Sequence, residues 1–133
     1  MGQPAAKAND RITATDTHIV MVVAGPSLVP TPLPHMFAGI IDSAVVPTVT
    51  IAGQPAATVG SIAHNLPPHL PTPPGVSFQA PPSNQGTIAM GSATVTIGGK
   101  PAARHGDMAQ TCNDPADMPV GAVVAAGMVL IGG

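Results

Sequence analysis

Six side chains in this 133-residue chain can ligate a borderline-soft metal: His18, His35, His64, His69, His105 and the lone Cys112. A structural zinc takes four such donors, imidazole nitrogens and thiolates in a tetrahedron. A single cysteine cannot form an intramolecular disulfide, so Cys112 is either a quiet buried thiol or a ligand. Acid–base or hydrolytic chemistry lacks its parts. The chain contains no Glu, and Asp114 and Asp117, the nearest thing to paired carboxylates, sit in a Pro-flanked loop with no nucleophile or base beside them. They read as a solvated loop. A zinc hydrolase or toxin would need three ligands, an open coordination position and a general base, and this sequence supplies no such base. No catalytic residue is assigned and the chain reads as a non-enzyme.

The elements that must gather these ligands are visible as a repeat. Thr48–Ser61 reads TVTIAGQPAATVGS and Thr94–Asp107 reads TVTIGGKPAARHGD, identical at nine of fourteen positions at an offset of 46. Gly2–Asp10, GQPAAKAND, repeats the second half, and Met128–Gly133, MVLIGG, matches the leading half. Val and Ile alternating with Thr is the period-2 pattern of a half-buried strand, and Gly-x-Pro-Ala-Ala supplies the turn. The sequence therefore predicts one all-β domain over residues 1–133, with repeat motifs at 2–10, 46–61 and 92–107. Segment 127–133 pairs with the N-terminal unit, so that the N- and C-terminal strands complete one of three hairpins. None of these can bury a face alone, so they pack around a pseudo-threefold axis. Helix is confined to a single turn at Ser43–Val46 or Pro115–Val120, because prolines punctuate every longer candidate. Leu66–Pro82, dense in proline, reads as an extended, stiff connection.

Composition removes several function classes. Only 8% of residues are charged, the net charge is −2, and 44% are hydrophobic. That is no disordered chain, and four scattered cations with almost no aromatics leave no footprint for nucleic acid. The run Ile19–Ile41 is broken by Pro26, Pro30, Pro32 and Pro34 and does not read as a membrane span. Lys7 and Arg11 before Ile19–Ala24 imitate a signal peptide, but Asp10, Asp16 and His18 interrupt it, and none is assigned. The methionines read as core filler or interface.

Counting from the end of each repeat filters the ligands. Asp10 to His18 is eight residues, Ser61 to His69 eight, and Asp107 to Cys112 five. Each unit thus hands one ligand to the same end of the body. The fourth is His35, on a Pro-stiffened approach, or His64, three residues after Ser61. His105 takes the slot of Val59, a strand position, and reads as structural. Asp10, Ser61 and Asp107 read as turn caps.

Pro101-Ala102-Ala103-Arg104 followed by His105-Gly106-Asp107, with Pro55-Ala56-Ala57-Thr58 and Pro4-Ala5-Ala6-Lys7 as diverged copies, resembles the PAAR-repeat proteins. The segments LPHMF, PPHLP and TCNDPADMPVG resemble compact tips of phage-tail-like extracellular injection particles and some type VI secretion systems. The resemblance implies a small conical β-structure whose blunt base sits on a trimeric, VgrG-like spike protein and whose vertex holds zinc between histidines and a cysteine. It favours His35, giving the set His18, His35, His69 and Cys112 around one structural zinc per chain. It also implies a monomer on a trimer and transient contact with a target membrane. Assembly is in the bacterial cytoplasm, with later delivery at the tip of the particle. Because the repeat uses both termini, effector cargo is bound non-covalently or not at all. The competing reading is a free-standing structural β-protein indifferent to chelators.

Overall fold

The structure, a computed structural model, describes residues 2–133, and every regular element among them is a β-strand. The strands are β1 (Gln3–Pro4), β2 (Arg11–Ala24), β3 (Ser27–Ser43), β4 (Val46–Ile51), β5 (Gln54–Ala56), β6 (Ile62–Asn65) and β7 (Gly75–Phe78). They continue as β8 (Gln85–Ile88), β9 (Thr96–Ile97), β10 (Lys100–Pro101), β11 (Met108–Thr111), β12 (Met118–Val124) and β13 (Leu130–Ile131). Neither expected helical turn forms: Ser43 closes β3, and Met118 to Val120 open β12.

Three hairpins form one end. In β4–β5, Ile51 faces Gln54; in β9–β10, Ile97 faces Lys100; in β1–β13, Ile131 faces Gln3. The loops Ala52-Gly53 and Gly98-Gly99 have positive φ at both residues, the type I′ geometry that matches strand twist. The Ala-Ala steps then link the hairpins in a closed cycle. Ala6 N donates to Ala103 O (2.9 Å), Ala103 N to Ala57 O (3.1 Å), and Ala57 N to Ala6 O (3.0 Å). Bridges Ala5↔Arg104, Lys7↔Ala56 and Thr58↔Ala102 repeat the same cycle one step out. This is the pseudo-threefold axis, and only a methyl group fits beside it, since Ala6, Ala57 and Ala103 are fully buried. Ala103→Leu is expected to cost about 3 kcal/mol by overpacking, read as a lowered midpoint in denaturant. An unchanged midpoint would show that the axis has room.

Each unit turns next through the same device. Lys7 N donates to Asp10 Oδ2 (3.0 Å), Thr58 N to Ser61 Oγ (3.0 Å), and Arg104 N to Asp107 Oδ2 (2.8 Å). The residue before each cap, Asn9, Gly60 or Gly106, takes a positive φ, as the third position of a type II turn requires. The contact survives Thr58 and Ser61 because a hydroxyl accepts where a carboxylate would.

From these turns the chain leaves as β2, β6 and β11 and returns as β3, β8 and β12. Pairings β3–β6, β8–β11 and β12–β2 join the three hairpins into a closed six-stranded ring. Phe37 fills its centre, fully buried against Ile12, Ile41, Ile88 and Val123. Glycines make the room: a Cβ on Gly39 would lie 2.6 Å from the ring, and one on Gly86 3.1 Å. The Pro-rich stretch is not one uniform connector, because Gly75–Phe78 forms β7 and adds to β2 with Val20 facing Phe78. Among the described residues no helix is long and apolar enough to cross a bilayer.

Candidate metal centre

β2 alternates strictly up to Val20, with Ile12, Ala14, Asp16, His18 and Val20 buried and the threonines between them exposed. The period of two places Asp16 and His18 on the inner face. On β3, His35 and Phe37 face the same interior. His69 arrives on the Pro-rich loop, pinned by its own N–H to Asn84 Oδ1 (2.8 Å) and by Asn65 Nδ2 at 3.3 Å from its Nδ1. Cys112 follows β11 directly, its N–H bonded to Gln85 O (3.2 Å).

One potential ligand atom from each of Asp16, His18, His69 and Cys112 comes together within 4.8 Å, and all four residues are buried. His35 stands against this group, its ring 5.3 Å from that of His18 and 5.6 Å from that of His69. The sequence-predicted His18, His69 and Cys112 therefore meet. His35 lies alongside, with Nδ1 2.9 Å from Leu33 O and Nε2 accepting from Thr72 N at 3.1 Å. His64 is elsewhere, half-exposed and paired with Asp42 (2.7 Å). His105 is not a strand residue. It lies exposed in a turn, where Nδ1 accepts from Ala125 N (3.1 Å).

Sequence reasoning passed over Asp16. Its carboxylate is fully buried and collects His69 Nε2 (3.0 Å), Cys112 Sγ (3.5 Å), Asn113 Nδ2 (3.4 Å) and the Thr111 hydroxyl. The available signal was Asp16-Thr17-His18, two polar residues on one face of an otherwise apolar strand. Asp114 is likewise no solvated loop residue: its Oδ2 accepts from Ile19 N (2.9 Å), while Asn113 Oδ1 accepts from Thr17 N (2.6 Å). Together they seal the outer edge of β2. Asp117 is exposed.

Electrostatics distinguish the members. Burial pushes the Cys112 thiol up to about 11, with the charge of Asp16 adding to it. Burial also holds the His35 imidazole below its ordinary range, against the raising effect of its bond to Leu33 O. His18 is the anomaly. It is fully buried, and among the described residues neither ring nitrogen has a hydrogen-bond partner, Asp114 Oδ2 lying 3.4 Å from Nδ1 but off hydrogen-bond geometry. A buried polar atom left unpaired costs about 1–3 kcal/mol, so a side chain held in this state points to a bound group. A divalent cation fits. The donors are nitrogen, thiolate and carboxylate, the set zinc takes, and a nearby cation reverses the forces holding the Cys112 proton.

A protein-family model described as PAAR motif matches residues 34–110 and, overlapping, 78–133, together most of the chain. No curated protein and no solved structure matches.

Proposed function

Because the chain belongs to the PAAR-motif family, a family of structural spike tips, we propose that it is the zinc-bound point of a contractile injection machine. In this reading it caps a trimeric, VgrG-like spike and helps it pierce a target envelope. The observation that carries the metal part is the partnerless, buried imidazole of His18 inside a cluster of donors. Zinc, when bound, supplies a crosslink that no pair of these side chains can make alone. It would be held by His18, His35, His69 and Cys112, with His35 Nε2 giving up its contact with the Thr72 N–H, tying together β2, β3, the Pro-rich loop and the turn after β11. Asp16 then orients His69 through the imidazole–carboxylate contact common beside metal-bound histidines, which makes Nδ1 the ligating nitrogen in place of its long contact with Asn65 Nδ2. It also balances charge: zinc, one thiolate and one carboxylate sum to zero in a buried site. A second reading puts Asp16 in the fourth position, favoured by the 4.8 Å group of donor atoms that includes it and leaves His35 out.

The three hairpins with their cyclic bonds supply the end that meets the spike, a pseudo-threefold surface facing a threefold one, one chain per trimer. The tip acts mechanically, and a zinc with all four positions taken by side chains would keep none open for hydrolysis. It is assembled in the bacterial cytoplasm and leaves at the front of the particle.

Elemental analysis and co-sedimentation with a trimeric spike test both halves. The expected results are one zinc per chain and one chain per trimer. Metal lost in His35→Ala and retained, more weakly, in Asp16→Asn supports the first ligand set, and the reverse supports the second. A metal-free protein that leaves the spike uncapped would overturn the reading.

A further inference from the structure

β2 and β3 run on past the ring as one long hairpin, closed by Gly25-Pro26 between Ala24 and Ser27. β2 alone has 14 residues, roughly 45 Å of strand. The distal end carries Val23, Leu28 and Val29, all exposed, and the neighbouring β7 adds exposed Val76. From Thr17 to Ile41 there is no Lys, Arg, Asp or Glu.

The edges of this finger are as unusual as its faces. With Ala24 and Ser27 closing a two-residue turn, the hydrogen-bonded pairs are Val22↔Val29, Val20↔Thr31 and His18↔Leu33. The amides of the alternate residues on β3 therefore point outward, and at 30, 32 and 34 those residues are proline. An outward edge that would offer a row of donors has lost three of them. On β2 the outward amides of Thr17 and Ile19 donate to Asn113 and Asp114 side chains, and Met21 lies opposite Ser77 of β7. Partners that add a strand need an unbroken row of donors and find it interrupted, with the outward amides of Val23 and Leu28 left near the turn. Partners recognised by charge find none.

We infer that the end of this finger, Val22–Val29, enters the headgroup–acyl boundary of a lipid bilayer, and that the lipid it fits is electrically neutral. An uncharged, apolar hairpin end suits that boundary because hydrocarbon penalises charge, while the headgroup layer offers partners to the outward amides of Val23 and Leu28. Insertion is shallow, since the outward amides and carbonyls of Val23 and Leu28 still need water or headgroups. The inference rests on the spike-tip reading, to which it adds the element that touches the membrane first and the chemistry of the contact.

The chain has no Trp or Tyr, so one introduced tryptophan reports without background. Val23→Trp is expected to blue-shift, and to be quenched by lipids brominated high on the acyl chain, when mixed with phosphatidylcholine vesicles. The response should persist in about 1 M salt, where surface electrostatics are screened. Met128→Trp, a fully exposed position on the strand-hairpin end, should not respond. The double variant Val23→Asp, Leu28→Asp should lose tenfold or more of vesicle association while keeping its metal and its place on the spike. No shift at position 23, equal shifts at both positions, or binding that needs anionic lipid and vanishes in salt would each overturn the inference. Metal content and spike capping, measured on the same variants, separate its failure from failure of the tip reading: a capped spike with a silent Val23→Trp sinks only the lipid contact.

Discussion

Stripping zinc from the purified protein with a chelator is expected to lower its melting temperature by about 15 °C or more. Small zinc modules gain apparent binding free energies of about 10 kcal/mol. A site already gathered by a folded sheet returns part of that, and about 5 kcal/mol in a chain of this size corresponds to such a shift. The effect is large because the core is thin: its fully buried side chains include one phenylalanine and otherwise nothing larger than isoleucine or histidine. His18→Ala and Cys112→Ser should reproduce the chelated state, and added zinc should not rescue them. His64→Ala should melt like the parent, since that side chain is half-exposed and only pairs with Asp42. Calorimetry with and without zinc decides the matter. Parent and variants melting together would remove the metal from the account of stability.

Phe37→Ala is expected to cost about 3–5 kcal/mol, the usual range for emptying a buried aromatic site. One ring here serves all three units, so its loss leaves a cavity on the axis that no neighbour is long enough to fill. A double-mutant cycle makes the point sharper. Gly39→Ala alone should be strongly destabilising, because its Cβ would lie 2.6 Å from the Phe37 ring. Combined with Phe37→Ala the clash with the ring disappears and only the tight 3.0 Å approach to the Ala63 Cβ is left, so the pair should be less harmful than the sum of the singles. Additive costs in denaturant would show that the ring and the glycine do not share this space.

The repeat was legible because identical residues recur where the same turn recurs: Pro-Ala-Ala at the crowded axis and a small polar acceptor three residues after each turn begins. The alternation of Thr with Val and Ile announced the strands at those turns. The length of β3 was not legible. Pro30, Pro32 and Pro34 read as breakers, yet each sits where its missing N–H would have faced outward, so the ladder to β2 loses nothing. β7 was hidden the same way, a short edge strand flanked by prolines whose partner lies more than fifty residues away. Among the candidate ligands, counting from the repeat ends picked out His18, His69 and Cys112, whose side chains come together. It had no means of finding Asp16, whose meaning depends on donors arriving from the Pro-rich loop and from residues 111–113.

The pairing of β1 with β13 joins Gln3 to Ile131 and Pro4 to Leu130, which fixes an order of events during synthesis. Two of the three hairpins are local and can form as soon as their residues emerge. The third joins Gln3 to Ile131 across a long loop, the kind of contact that slows folding because closure entropy precedes any gain. Until Leu130 and Ile131 have been made, the surface around Pro4 and Ala5 lacks one strand in three. The threefold surface is therefore complete only once residues 130 and 131 have joined it, later than the two hairpins that fold locally.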